Sequence, residues 1–173
     1  LMQKVDMSYY PSQIEVDYLH TLDESLAVKA ITAYVYEDLK EREYVPDTRE
    51  GVLFVGGFSH PPNADACIYF LENMWDAIYE KIQAPFYIVG SNGGEDMQAL
   101  HNPEKGILFK GFVSDEELAD LYRQVKLVVV PLRYGAGVKG KVIEALHEGL
   151  PVVTTSVGAE GIEGAEQCMK IAD

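Results

Sequence analysis

The feature that most constrains the fold of this chain is a regular alternation of short apolar runs and helical patterns, which begins at residue 51. The apolar runs are continuous rather than interleaved with polar residues, as is typical of strands buried on both faces of a parallel sheet. This pattern predicts an α/β fold, in which a Rossmann-like parallel sheet carries helices on both faces. The predicted strands lie at 51–55, 85–89, 107–109, 127–130, 151–154 and, as a sixth, 169–171.

The predicted helices alternate with these strands and lie at 61–82, about 95–100, 114–125 and 141–147. Ser114 is followed three residues later by Glu117, which is the capping-box pattern that starts a helix. Right-handed crossovers place every strand-to-helix loop at one edge of a parallel sheet. The glycine-rich loops of this chain are therefore expected at the carboxyl edge, where such folds bind ligands.

The first 47 residues have a different pattern, with a predicted helix at 13–21, a β-rich run at 28–36 and a charged, linker-like stretch at 37–47. One βαβ unit cannot form a stable sheet alone. We therefore expect residues 1–47 to be the tail of another domain with its linker, and residues 48–173 to be a second domain. Because the chain begins at Leu1 rather than at a methionine, we expect it to be a piece of a longer protein.

The chain is strongly acidic, with 14 Lys and Arg against 28 Asp and Glu and a formal net charge of −14. Such a surface repels nucleic acid and anionic lipid, so we expect no nucleic-acid partner. No apolar run approaches the roughly 20 residues of a membrane span. Cys67 and Cys168 lack metal-ligand spacing, and no signal-peptide pattern is present, so we expect a cytoplasmic protein without a zinc site or disulfide framework.

Against this acidic background, residues 121–143 hold five basic residues and no acidic one, which indicates an anion site. Part of this stretch is a loop whose glycines can turn backbone N–H groups toward a ligand. These glycines are Gly135, Gly137 and Gly140. Lys139 and Lys141 stand at the start of the following helix, where a cation costs about 0.3–1 kcal/mol unless an anion compensates. We interpret both lysines as diphosphate ligands; the alternative is a loop with solvated lysines.

Glu144 is the second candidate in this region, because it follows Lys141 by three residues and lies near the start of the helix. A carboxylate there can accept two hydrogen bonds from a vicinal diol such as a ribose. The spacing leaves an i, i+3 pair with Lys141, or plain compensation of the helix dipole, equally open.

The loops after the first and third strands are less specific. Gly56 and Gly57 allow a ligand to approach closely, and His60 can donate a hydrogen bond to phosphate or sugar, although a structural role for His60 is an equal alternative. The first loop has neither dinucleotide-fingerprint nor Walker spacing. After the third strand, Gly111 to Val113 can offer backbone groups to a base, while turn chemistry explains Gly111 equally well.

The order of these motifs resembles the C-terminal, donor-binding half of retaining glycosyltransferases of the GT-B fold, in glycosyltransferase family four (glycosyl transferases group one). The resemblance covers roughly residues 51–165. The most specific segment is VVPL…GAGVK…EAL…GLPVV, between Val129 and Val153. Supporting segments are LFVGGF at 53–58, FYIVG at 86–90 and GFVS at 111–114.

This resemblance implies a hexosyltransferase-like enzyme that binds a nucleotide-diphosphate sugar. With an N-terminal domain beyond this chain, it would transfer the sugar to a glycan or lipid-linked acceptor in bacterial-type glycan biosynthesis. Catalysis would be electrostatic, with cationic and N–H groups stabilising the departing diphosphate, and no metal or other cofactor is implied. The chain alone would bind the donor but transfer no sugar.

The family carries two glutamates separated by seven residues, and Glu144 matches the second, which holds the donor ribose. The first falls at Ala136, so the resemblance implies that the donor sugar is held by backbone groups of the loop formed by Gly135, Ala136, Gly137 and Val138. The family's usual Arg and Lys after the first strand are replaced by residues 58–60. Lys139, with Arg133, is therefore assigned the catalytic positive charge.

Two other functions stay open on the sequence. A sugar-nucleotide epimerase of the same fold needs an acid/base set in the cleft, which the sequence does not indicate. A degenerate, non-catalytic module that serves interdomain contacts is favoured by the missing acid at Ala136. Nucleotide binding would separate the non-catalytic module from the two enzymes.

Overall fold

The computed structural model describes residues 4–31 and 48–173. Its first part is a βαβ unit made of β1 (Ser8–Tyr10), α1 (Gln13–Leu22) and β2 (Val28–Ala30), in which β1 pairs in parallel with β2. The predicted strand–helix–strand order is confirmed there. The part of the β-rich run beyond residue 31 and the linker predicted at 37–47 lie outside the described residues.

A six-stranded parallel sheet follows and confirms the predicted fold class. The strands are β3 (Val52–Val55), β4 (Phe86–Val89), β5 (Ile107–Gly111), β6 (Leu127–Val130), β7 (Val152–Thr154) and β8 (Lys170–Ile171). Their spatial order is β5-β4-β3-β6-β7-β8, so the chain moves outward from β3 and then returns to its other side with β6. The loops after β3 and β6 leave the sheet in opposite directions, which opens a crevice at the carboxyl edge.

The helix predicted at 61–82 is continuous but changes its winding. It consists of α2 (Pro61–Phe70), a π-helical segment (Leu71–Trp75) and α3 (Asp76–Ile82). The π segment ends at Trp75, whose indole is fully buried and donates a hydrogen bond to the carbonyl oxygen of Lys105 at 2.8 Å. The wider π-helical turn therefore ends at a large side chain that packs in the core. The helical periodicity of the sequence does not predict this change from α to π winding.

The remaining helices complete the crossovers. They are α4 (Gly94–Gln98), α5 (Asp115–Gln124), α6 (Gly140–His147), α7 (Ser156–Ala159) and α8 (Ala165–Cys168). The capping box predicted for α5 is confirmed, because the N–H of Glu117 donates to Ser114 Oγ at 3.2 Å and the N–H of Ser114 donates to Glu117 Oε2 at 2.9 Å.

The core lies on both faces of the central strands, as the continuous apolar runs predict. The fully buried strand side chains include Leu53, Phe54, Ile88, Val128 and Val130. This burial fixes the strands, and thereby fixes where the loops at the carboxyl edge begin.

Within residues 4–31 and 48–173, no helix is long and apolar enough to cross a membrane. In the same part of the chain, no three His, Cys, Asp or Glu side chains are grouped so that they could hold a metal ion.

Candidate anion-binding site

The crevice at the carboxyl edge is floored by the turn that follows β3. The N–H of Gly56 donates to the carbonyl oxygen of Val89 at 2.9 Å, which ties this turn to the end of β4. Gly90 packs so closely on the same turn that a Cβ there would lie 1.7 Å from the carbonyl oxygen of Gly56. Only glycine fits at such an approach, so the turn packs directly against the backbone of the neighbouring loop.

The opposite side of the crevice is the N-terminus of α6. Its N-cap residue is Lys139, whose side chain makes no capping hydrogen bond, and the first turn of α6 contains no acidic residue. The first turn of α5, by contrast, contains three acidic residues. The N–H groups and partial positive charge at the start of α6 are therefore not balanced by its own first turn, which favours an anion there.

Lys141, in the first turn of α6, reaches across the crevice toward α2. Its ammonium group donates a hydrogen bond to Asn63 Oδ1 at 2.6 Å and lies 5.0 Å from the centre of the Phe54 ring. Asn63 is buried and donates in turn to the carbonyl oxygen of Gly57 at 2.8 Å. A Cβ on Gly56 would lie 2.9 Å from Lys141 Nζ, so the ammonium group sits directly on the glycine turn.

The charge of Lys141 is poorly compensated. Burial is the main cause that lowers the pKa of Lys141 to about 8; Lys139 acts in the same direction, and Cys67 acts against it. Burial also raises the pKa of the Cys67 thiol to about 12, so this neighbour is uncharged at neutral pH. Among the described residues Lys141 has no ion-pair partner, and its one hydrogen-bond acceptor is a neutral amide. A half-buried ammonium group in such surroundings favours a bound anion.

Lys139 stands at the same helix end but points elsewhere. Its ammonium group donates to the carbonyl oxygen of Gly137 and to Glu160 Oε2, the latter at 3.3 Å, and its side chain is only 10% exposed. These contacts brace the loop before α6 and partly neutralise the cation. The role of Lys139 as a diphosphate ligand stays a prediction.

Arg133 follows β6 and lies on the surface of α2. Its Nε donates to Asp65 Oδ2 at 2.9 Å, and the guanidinium group lies 4.4 Å from the centre of the Tyr69 ring. Hydrogen bonding to Arg133 lowers the pKa of the Asp65 carboxyl, and the same bond raises the pKa of Arg133.

His60 is exposed at the N-cap of α2 and makes no side-chain capping bond. The predicted roles of Arg133 and His60 are not tested by these contacts.

The loop between β6 and α6 has the backbone that its glycines predict. Gly135 and Gly137 have φ angles of +126° and +78°, which side-chain-bearing residues rarely adopt. Ala136 between them is exposed, and Val138 is half-buried. The loop thus presents backbone groups and no polar side chain at its tip.

Glu144 is half-buried on α6, and within the described residues its carboxylate makes no hydrogen bond or ion pair. The alternative pair with Lys141 does not form, because Lys141 bonds Asn63 instead. Val113 follows β5, is half-buried and packs against the core. Its predicted role near a base is untested.

Asn63 is the polar group of this site that the sequence analysis missed, since its position beside two prolines indicates only a helix start. The signal that could have found it is indirect. A lysine in the first turn of a helix is unfavourable because its charge opposes the helix dipole, so it needs a polar partner. The start of α2 lies across the crevice from α6 and supplies that partner through Asn63.

The sequence of this chain is similar to a known protein family and to two known proteins. A family model described as glycosyl transferases group 1 matches residues 49–172. An uncharacterized 44.6 kDa protein of the cps region of Klebsiella pneumoniae is 33% identical over 116 residues, 64% of this chain and 30% of that protein. An uncharacterized glycosyltransferase of Methanocaldococcus jannaschii is 31% identical over 119 residues, 66% of this chain and 29% of that protein. The chain thus spans about 30% of the length of these relatives.

Solved structures share the fold at lower sequence identity. TarM superposes with a TM-score of 0.77 at 17% identity over 99% of this chain and 34% of its own. WaaG, a glycosyltransferase involved in lipopolysaccharide biosynthesis, gives 0.68 at 16% identity over 94% of this chain and 48% of its own. A variant of S. aureus TarM in complex with fondaparinux, alpha-GlcNAc-glycerol and UDP gives 0.75 at 20% identity over 99% of this chain and 35% of its own.

Proposed function

The chain belongs to the family of glycosyl transferases group 1, and from that premise we propose that its six-stranded domain binds a nucleotide-diphosphate sugar as the donor for retaining glycosyl transfer. The observation that carries this proposal is the start of α6. Two lysines stand there, without an acidic residue in the first turn, and one of them lies on the turn after β3. This arrangement suits a diphosphate, which carries two or more negative charges and many acceptor oxygens.

The same arrangement suits the chemistry of a departing diphosphate. As the bond between the sugar and the phosphate breaks, negative charge builds on the leaving oxygen. Cations and N–H groups that are already in position lower the energy of that state without reorganising. We assign this role to Lys141, Lys139 and the first N–H groups of α6, with Arg133 as a further cation. The retaining outcome rests on the resemblance to retaining enzymes.

The other candidate residues are assigned to different parts of the donor. Glu144, whose carboxylate has no partner in the described part of the chain, is assigned to the ribose diol. The turn of Gly56 and Gly57, with His60, is assigned to the phosphates, and backbone groups near Val113 to the base. The donor sugar is assigned to the loop of Gly135, Ala136, Gly137 and Val138.

The acceptor is assigned to a part of the enzyme outside the six-stranded domain. We take residues 48–173 as the donor-binding domain and residues 1–47 as the tail of an acceptor domain with its linker. The acceptor would be a glycan or a lipid-linked sugar, in a cytoplasmic, bacterial-type pathway of glycan synthesis. The UDP complex of TarM supports a nucleotide-sugar donor as the class of ligand.

A thermal-shift screen of UDP, GDP, ADP, dTDP and CMP tests this proposal. A ligand present at 100 times its dissociation constant raises the free energy of unfolding by about 2.7 kcal/mol. We expect at least one nucleoside diphosphate to stabilise the chain, and Lys141→Met to remove most of that shift. If no nucleotide stabilises the wild-type chain, the proposal fails and the non-catalytic module becomes the better account.

A further inference from the structure

In the part of the chain that the structure describes, α1 and α5 both begin with a serine followed three residues later by a glutamate, but only α5 forms the reciprocal cap. In α5, Ser114 and Glu117 exchange hydrogen bonds with each other's backbone. In α1, Ser12 Oγ accepts a hydrogen bond from the N–H of Ile14 at 3.2 Å, whereas Glu15 returns none. The side chain of Glu15 is therefore free of the capping role that its position favours.

The Glu15 carboxylate is turned toward the loop before α6. Glu15 Oε1 lies 3.9 Å from the position that a Cβ would take on Gly137. Glu15 Oε2 is buried and, among the described residues, has no hydrogen-bond partner. A buried carboxylate oxygen without a donor is costly, and it usually marks a missing hydrogen-bond partner.

Packing fixes α1 against this loop. A Cβ on Gly161 would lie 2.9 Å from both Ser12 Oγ and Val138 Cγ2, so the start of α1, the loop before α6 and the segment after α7 meet closely. The nearby cation does not satisfy Glu15, because Lys139 donates to Gly137 and Glu160. Among the described residues the carboxylate thus has no partner, and it lies beside a loop whose tip offers no polar side chain.

We propose that Glu15 binds a hydroxyl group of the donor sugar, so that the βαβ unit contributes a residue to the donor site. This inference rests on the proposed function. A carboxylate repels a diphosphate but accepts hydrogen bonds from hydroxyl groups, so the ligand it fits is the neutral, hydroxyl-rich part of the donor. Glu15 would then select for the sugar, while the start of α6 binds the phosphates.

The test compares each nucleoside diphosphate with its sugar conjugate by titration calorimetry on the whole chain. The pairs are UDP with UDP-glucose and UDP-N-acetylglucosamine, GDP with GDP-mannose, and ADP with ADP-glucose. We expect Glu15→Gln to weaken binding of the sugar nucleotide by about tenfold or more while leaving the nucleoside diphosphate within about twofold of wild type. Asp17→Asn, an exposed change on the same helix, is the matched control and should change neither.

Glu15→Asp provides a second variant, because it keeps the charge but withdraws it from Gly137, and it should show the same selective loss. The inference is overturned if both ligands weaken equally, if neither changes, or if Glu15→Gln lowers only the melting temperature, as a helix-cap residue would. These outcomes leave the proposed function standing. If the wild-type chain binds no nucleoside diphosphate at all, the proposed function fails and the inference fails with it.

Discussion

The ammonium group of Lys141 lies 2.6 Å from Asn63 Oδ1 and thereby joins the start of α6 to the start of α2 across the crevice between β3 and β6. The two residues are 78 positions apart in the sequence. Their contact brings the positive ends of two crossover helices together over the Gly56 turn. An anion bound there would meet both helix ends and the ammonium group at once.

The first prediction concerns the charge of Lys141. Lys141→Met keeps most of the side-chain length but removes the cation, and it should weaken binding of a nucleoside diphosphate by about tenfold or more, as expected for loss of a charged hydrogen bond. A nucleoside without phosphates should bind as before. Calorimetry on both ligands measures this difference. Lys126→Met, an exposed change immediately before β6, is the control and should bind both like the wild type.

The second prediction concerns pH. Because the pKa of Lys141 is lowered to about 8, the side chain loses its charge as the pH rises through that value. Affinity for the nucleoside diphosphate should fall by about tenfold between about pH 7.5 and 9.5, while Lys141→Met shows a flat profile. A wild-type profile as flat as that of the variant would contradict the assignment.

The lowered pKa of Lys141 also makes the stability of the chain depend on pH. The folded-state pKa of Lys141 lies below its unfolded value of 10.5, so between about pH 8 and 10.5 the unfolded chain binds more protons at this residue. The free energy of unfolding of the wild type should therefore rise relative to Lys141→Met across this window. Urea unfolding of both proteins at several pH values measures the difference, and a constant difference would contradict it.

A third prediction concerns the close approach at Gly56. A Cβ there would lie 2.9 Å from Lys141 Nζ and 3.0 Å from Asn63 Cγ, and Asn63 is buried, so the flexible lysine must move. Gly56→Ala should weaken binding of a nucleoside diphosphate by about tenfold. Adding Gly56→Ala to Lys141→Met should cause little further loss, because both act on one contact. Additive losses would show that Gly56 acts independently of the lysine.

A fourth prediction concerns Glu144, whose half-buried carboxylate has no partner within the described residues. Glu144→Ala should weaken nucleoside and nucleotide by similar factors of about tenfold, because the ribose is common to both. The melting temperature should change little, and Glu166→Ala, exposed on α8, should change neither property. Unfolding of the Glu144→Ala chain with nucleotide affinity intact would assign Glu144 a structural role instead.

Much of the sheet could be predicted from the sequence because β3, β4 and β6 are continuous apolar runs that are followed directly by glycine or proline. The same holds for the capping box of α5 and for the glycines of the loop before α6, whose positive φ angles follow from residue type. These features depend on a few adjacent residues and on general rules of chain connection.

The partners within the site could not be predicted in the same way. Whether Lys139 or Lys141 reaches the Gly56 turn depends on how α6 packs against α2, which local spacing does not reveal. Glu15 is a further case, since its sequence pattern predicts a helix cap and only tertiary packing turns it toward Gly137. The π-helical segment before Trp75 is likewise set by the fit of one indole to the core.

The measurement that tests the central claim most directly is a crystal structure of the chain with the nucleoside diphosphate that the screen identifies. The account predicts phosphate oxygens within about 3.2 Å of Lys141 Nζ and of N–H groups at the start of α6, in the crevice between β3 and β6. It also predicts that the ribose hydroxyls donate hydrogen bonds to the carboxylate of Glu144. A nucleotide bound elsewhere, or one whose phosphates avoid the start of α6, would contradict the account.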